Sequence, residues 1–311
     1  MTESAPALPV RRPLDLRAIS LVSMLCAIWG IQQVALKDVA GHIAPIAQLA
    51  IRFAAASLVF GAWVWIREGR RAFRDGTLPS GLLLGLLFSL EFVFLGESLL
   101  HTTAAHSVVF LYTAPIFTAL GLQVLPEERL SGPQWLGIGV AFGGILVAFI
   151  GFDSRLGLHS VTGDLLALLA GASWGLSNVV LRRGQVGGAM TAKTVFYQVG
   201  TATVVLGAFA AATGQTRIEF SGMTVVVLLF QTLVIAIWSY LIWFWLLRRY
   251  LTSRLMLLSL LTPLFGVLFG AALLGDPITL HFALGGALVL AGIVIVQTAA
   301  HLRRRRAGSF P

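Results

Sequence analysis

Trp29-Gly-Ile-Gln-Gln-Val-Ala-Leu-Lys37 returns as Trp174-Gly-Leu-Ser-Asn-Val-Val-Leu-Arg182, 145 residues further on, with four of nine positions identical. A second correspondence, at an offset of 148, pairs Pro115-Ile-Phe117 with Pro263-Leu-Phe265. The same offset carries Glu128 to Asp276, Leu136 to Leu284, Gly137 to Gly285, Gly144 to Gly292 and Ile145 to Ile293. Two stretches in register mean a duplicated chain, and the three-residue change of offset is an insertion that a loop absorbs.

Both copies lie in strongly apolar sequence. Of 311 residues 57% are hydrophobic and 11% charged, whereas a soluble chain carries about a quarter charged residues. The apolar residues fall in runs of about 20, enough to cross about 30 Å of hydrocarbon as a helix. These runs predict an all-α integral membrane protein with ten transmembrane helices, near 16–36, 44–66, 79–98, 103–124, 131–151, 162–181, 191–213, 221–247, 252–274 and 278–299. The predicted organisation is a tail 1–15, a first five-helix repeat 16–151, a second 162–299 and a basic tail 300–311. Five helices per copy is an odd number, so the two copies run through the membrane in opposite senses and form inverted repeats. Such repeats allow alternating access to a site near the midplane; duplication that merely enlarges a bundle is the structural alternative.

Lysine and arginine set the orientation, because short cytoplasmic loops carry their excess. One side collects 18 of the 22, among them Arg11, Arg12, Arg70, Arg182, Arg249 and Arg303 to Arg306, and the other only Lys37, Arg155 and Arg217. Both termini are therefore expected in the cytoplasm, and the localisation expected is a bacterial cytoplasmic (inner) membrane. Arg11-Arg12 before an apolar run resembles a secretory signal, but the run is too long for one and no small-residue cleavage site follows. The net charge of +9 lies between apolar runs rather than in a stripe with stacking aromatics, which argues against nucleic acid. One cysteine, Cys26, rules out a disulfide framework or a thiol-based metal cluster. With no Walker loop, dinucleotide fingerprint or metallohydrolase motif, the expectation is no enzyme, no cofactor, no catalytic residue and no metal.

The paired Trp-Gly segments with a basic residue eight positions after Trp, Pro45 with Arg52-Phe53, the Pro115 and Pro263 helices, and Glu128 or Asp276 before a glycine-bearing helix together resemble the EamA family of the drug/metabolite transporter superfamily. Within it the chain is most similar to bacterial exporters of amino acids, including aromatic ones, and of related metabolites. The resemblance implies ten helices, cytoplasmic termini and outward movement of small metabolites.

Residue chemistry marks the candidate substrate site. A carboxylate within a span is costly and faces a cavity or partner, so Glu91 either binds a proton or a substrate ammonium, or is a neutral acid bonded to a neighbouring helix. Helical spacing puts Phe94 and Glu97 on the same face. Trp29 with Gln33 and Trp174 with Asn178 repeat an aromatic and an amide on adjacent turns, serving a cavity or gluing helices. The aromatic-rich eighth run contributes Trp238 and Tyr240 to the candidate site, with Trp243 and Trp245 as anchors at the membrane boundary. Tyr112 joins the candidates, and a structural tyrosine fits it equally. Arg52, the one basic residue well inside a span, reads as structural. Pro115 and Pro263 each delete a helical hydrogen bond and are natural bends, hence candidate hinges. Glu128 and Asp276 are expected to cap the helices that follow them. The functional expectation is a secondary transporter exporting amino acids, aromatic and apolar ones included. Export of cationic drugs or other metabolites is the alternative, and a membrane enzyme or receptor the reading from another class. Expected partners are a small-molecule substrate and membrane lipids, with the chain a monomer or weak oligomer.

Overall fold

A computed structural model describes residues 11–39, 42–102, 104–149, 158–275 and 278–308. Arg155 and Asp276, and the side chains of Gln33 and Lys37, lie outside the described residues. The structure is all-helical, and no strand occurs among the described residues beyond two isolated bridges. In chain order the helices are α1 (Leu16–Val39), α2 (Pro45–Glu68), α3 (Leu78–His101), α4 (Ala104–Leu111), α5 (Ala114–Leu122), α6 (Gly132–Phe149) and α7 (Leu158–Arg183). They continue as α8 (Thr191–Thr213), α9 (Gly222–Phe230), a π-helical segment Gln231–Ser239, α10 (Tyr240–Arg249), α11 (Thr252–Leu258), α12 (Leu261–Leu274) and α13 (Leu280–Gly308). Among the described residues eight helical stretches are long and apolar enough to cross a membrane, and two shorter apolar ones, Leu16–Gln32 and His106–Leu122, fall below that length. The exterior is apolar in the same sense: Leu58, Val204 and Leu136 are well exposed, a surface suited to lipid rather than water.

Local chemistry sets the helix ends. Pro45 and Pro79 open α2 and α3, where the missing N–H costs nothing. A reciprocal capping box between Ser221 and Thr224 opens α9. The helices α8 and α12 stop at Gly214 and Gly275, both with positive φ. The breaks between α4 and α5, and between α11 and α12, fall two to four residues before Pro115 and Pro263. Around each break i→i+3 turns replace the regular ladder, and a hydroxyl takes a carbonyl three residues back: Thr113 Oγ1 donates to Phe110 O at 2.6 Å and Ser259 Oγ to Met256 O at 2.6 Å.

The most extensive packing joins the two sequence halves: α6 against α13, α3 against α7 and α8, α2 against α8, α1 against α12, and α4 and α5 against α7. Glycines repeated in the sequence form these contacts. A Cβ on Gly144 would lie 2.6 Å from Gly285 O, and one on Gly137 would lie 2.9 Å from Gly292 O. As numbers rise along α6 they fall along α13, so these helices are antiparallel. Gly30 sits against Phe265 and Gly266, and Gly175 against Phe117 and Thr118, the equivalent residues of the opposite half. Thus the glycine of each Trp-Gly pair lets its helix rest on the backbone just after the proline of the other copy.

Candidate functional site

A cavity of about 150 Å³ lies among helices of both halves. Its walls are Trp29 and Gln32 of α1, Arg52 of α2, Phe88, Glu91, Phe92 and Leu95 of α3, and Leu111 and Tyr112 at the α4–α5 break. The second half adds Trp174, Ser177 and Asn178 of α7, Gln198 of α8, Tyr240, Trp243 and Phe244 of α10, and Thr262 of α12. Each repeated tryptophan meets an aromatic ring edge-on: Trp29 against Trp243 at 5.4 Å and Trp174 against Tyr112 at 5.6 Å. Trp29 Nε1 donates to Ser239 Oγ at 2.9 Å, which fixes its ring.

Of the residues expected from sequence, the structure brings Trp29, Glu91, Tyr112, Trp174, Asn178 and Tyr240 to the cavity. It places Phe94 and Trp238 away from it. The cavity-facing stripe of α3 is Phe88, Glu91, Phe92 and Leu95, spaced i, i+3, i+4 and i+7, and Phe94 lies off that stripe. Trp238 is 43% exposed on the outer surface, whereas Trp243, expected as a boundary anchor, is buried and lines the cavity. The π-helical turn that precedes α10 alters the residue-per-turn count, so a regular period carried from Gln231 points to the wrong tryptophan. Trp245 does lie at a charged boundary, with Arg17 and Arg249 over its ring at 5.6 and 5.3 Å.

Sequence reasoning pointed to the amide pair of α1, of which Gln32 lines the cavity, but missed Arg52, Gln198, Trp243 and Phe244 as lining residues. Arg52 and Gln198 carried a usable signal, being polar side chains deep in apolar runs. The amide expected to serve a substrate is in part used internally, since Asn178 Nδ2 donates to Trp174 O at 2.8 Å and Ser177 Oγ to the same carbonyl at 2.7 Å. In contrast, Arg52 Nε, Glu91 Oε2 and Gln198 Oε1 are buried with no hydrogen-bond partner among the described residues. Buried polar atoms left unpaired are rare in folded proteins, and three of them border one cavity.

A network of charges lies at the end of the helices where arginine is concentrated. Glu128, 1% exposed, accepts from Thr252 N at 3.0 Å, Ser253 N at 3.1 Å, Ser253 Oγ at 2.8 Å and Arg182 Nε at 3.2 Å. It therefore caps α11 of the opposite half instead of the helix that follows it, because the α5–α6 connection folds over that end. The start of α6 is served by Gln134, whose Oε1 accepts from Ser131 N at 3.0 Å. Arg182 also pairs with Glu127. Arg11 donates to Thr252 Oγ1, and burial beside Arg182 lowers its pKa to about 9 against the opposite pull of Glu128. Lys193 closes a second contact by pairing with Glu68 and Asp75. Burial would raise the Asp75 carboxyl, but hydrogen bonds from Lys193 and Thr77 outweigh it and hold the group below its ordinary value.

Helices of both halves surround an aromatic cavity. The EamA-like transporter family matches the chain twice, over residues 16–150 and 161–298. The chain belongs to this family. Among its relatives is a probable amino-acid metabolite efflux pump of Salmonella typhimurium, 28% identical over 91% of this chain and 96% of the relative. The uncharacterized transporter YoaV of Bacillus subtilis is 23% identical over 86% of this chain and 91% of its own length. A solved crystal structure superposes with a TM-score of 0.76 at 18% identity, covering 92% of this chain and 99% of that one, a likeness of fold. This EamA-family protein is a multi-pass membrane transporter, and family membership points to a small-molecule substrate and away from enzymatic function.

Proposed function

We propose that the protein is a secondary transporter that exports amino acids with aromatic or apolar side chains across a bacterial cytoplasmic membrane. In this reading ten spans form two inverted five-helix repeats with both termini cytoplasmic, and the cavity is the substrate site. The observation that carries the proposal is the cavity itself, a chamber walled by Trp29, Tyr112, Trp174, Tyr240 and Trp243 with a few buried polar groups and contributed by both halves. Aromatic walls with sparse polar contacts suit a small ligand that is apolar at one end and charged at the other. The reciprocal glycine contacts support inversion, since equivalent residues exchange partners across the antiparallel α6–α13 pair, as they do across a two-fold axis. The name given to the Salmonella relative supports amino-acid efflux.

Trp29, Trp174, Tyr112 and Tyr240 contact the side chain of the substrate, while Glu91 takes the ammonium or a coupling proton. Pro115 and Pro263 are the points at which α4–α5 and α11–α12 flex during alternation. Everted membrane vesicles offered labelled amino acids provide the test. Uptake of phenylalanine, tyrosine, tryptophan or leucine above that of vesicles lacking the protein is expected, reduced at least tenfold by Trp174→Ala at equal membrane abundance. Absence of uptake for every amino acid tested overturns the proposal.

A further inference from the structure

We propose that Arg52 is the carboxylate receptor of the cavity, so that the transported molecule carries a carboxylate opposite its amine and is recognised as a zwitterion. This rests on the reading of the cavity as the substrate site. Two arginines are buried alike and paired differently. Arg52 and Arg182 are each 1% exposed, and a guanidinium keeps its charge even when buried. Arg182 is neutralised by Glu127 and Glu128. No carboxylate lies within ion-pair distance of Arg52 among the described residues; its partners are neutral, Gln231 Oε1 at 3.3 Å from Nη1 and the Tyr240 hydroxyl. Its guanidinium otherwise stands over the rings of Phe53 at 4.7 Å and Phe92 at 5.7 Å, contacts that tolerate a cation but leave Nε without an acceptor.

The cavity's own acid does not close a contact with Arg52. Glu91 lines the same chamber, forms no ion pair with Arg52 and keeps Oε2 unpartnered. A buried cation and a buried acid therefore face one chamber and attract each other across it without closing an ion pair, beside the unpartnered acceptor Gln198 Oε1. An α-amino acid matches this arrangement: its carboxylate takes the two-pronged N–H donors of Arg52, its ammonium is accepted by Glu91 or Gln198, and its side chain meets the aromatic walls. A cationic drug would leave Arg52 unpaired and add a second positive charge, which disfavours it. Arg52 thus acts as a specificity determinant.

Equilibrium binding to the purified full-length protein in detergent, measured calorimetrically, tests this with three probes: phenylalanine, phenethylamine, which lacks the carboxylate, and 3-phenylpropionate, which lacks the amine. Wild type is expected to bind phenylalanine at least tenfold more tightly than phenethylamine. Arg52→Gln should weaken phenylalanine and 3-phenylpropionate by about 10- to 100-fold, the range for a lost charge-assisted hydrogen bond, and tighten phenethylamine, whose ammonium no longer meets a second cation. Arg52→Lys, which keeps the charge and loses the fork, should fall between. If Arg52→Gln does not fold, Arg52→Lys is assayed with phenylalanine and phenylalaninamide, and the assignment requires that the variant narrow their difference. Equal loss for all three probes, or no loss for the carboxylates, overturns it. Binding of 3-phenylpropionate through Arg52 without binding of any amino acid overturns the amino-acid reading and leaves the Arg52 assignment standing. A wild-type protein that binds none of the probes overturns both.

Discussion

Gly143 and Gly144 are neighbours in α6, and alanine should act on them with opposite sign. At Gly144 the new Cβ would lie 2.6 Å from Gly285 O and 2.6 Å from Val289 N, both backbone atoms that no rotamer change can move. Ordinary contact begins at 3.4 Å, so α6 and α13 must separate by about 0.8 Å, the difference between 3.4 and 2.6 Å. Overpacking of this kind costs about 1–3 kcal/mol, offset by about 0.5–1 kcal/mol from replacing glycine in a helix. At Gly143 nothing lies within 4 Å, so only the favourable part remains. Gly144→Ala should therefore be less stable than Gly143→Ala by about 1–3 kcal/mol, the overpacking cost alone. Reversible unfolding in mixed micelles with increasing SDS, followed by tryptophan fluorescence, measures the gap. Gly285→Ala, which meets Gly144 O and Ala148 N, should resemble Gly144→Ala, and the double variant should cost less than the two singles added because they share one contact. Equal stability of Gly143→Ala and Gly144→Ala would refute the packing of α6 against α13 described above.

Trp243→Ala should lower transport more than tenfold at normal membrane abundance, whereas Trp238→Ala, at an exposed position, should transport as wild type; vesicle uptake compares them. Glu128→Ala removes the acceptor for four donors and leaves Arg182 with one carboxylate, so unfolding should become easier by about 3–5 kcal/mol, the cost of breaking a buried ion pair, as read by the same SDS titration. Cysteines placed at the exposed Arg70 and Arg217 should react with a membrane-impermeant maleimide from opposite sides, Arg217 from outside; reaction from the same side would refute the orientation read from charge.

Sequence and structure agree most where one strong force decides. Apolar runs of membrane length allow helix and little else, so each run is helical, and the repeat could be read from Trp-Gly and Pro-x-Phe because identical backbone contacts demand identical residues. The glycines illustrate the limit. Their spacing within one helix does not decide contact, since Gly81 and Gly85 meet Tyr197 and Thr201 while Gly139 and Gly143, at the same spacing, meet nothing within 4 Å; the glycines that seat equivalent elements of the halves on each other are recognised when positions are compared between the copies. The candidate site divides in the same way. Glu91 and the repeated tryptophans could be found because a polar or paired residue in an apolar run is conspicuous. Trp243 could not, since which face of α10 looks inward depends on the π-helical segment before it, and no residue pattern announces that turn. Arg52 was visible as a buried cation but its place in the cavity wall was not, because no residue pattern shows how far the nearest carboxylate lies from it.

The seating of Gly30 on Phe265 and Gly266, and of Gly175 on Phe117 and Thr118, has a mechanical meaning. In each case a flat helix surface rides on the segment just past a broken turn, meeting its backbone and the first carbon of one phenylalanine side chain, with little between to cushion displacement. The arrangement is that of a follower on a cam. Bending at Pro263 would push the helix that carries Trp29, and bending at Pro115 would push the one that carries Trp174. Since both rings form the chamber wall, a change of angle at either break, if the proposed alternation bends them, would be delivered to the chamber as a change of its shape, and a molecule held there would in turn load the break. A bulkier residue at Gly30 would be expected to jam that linkage before it disturbed the ring beside it.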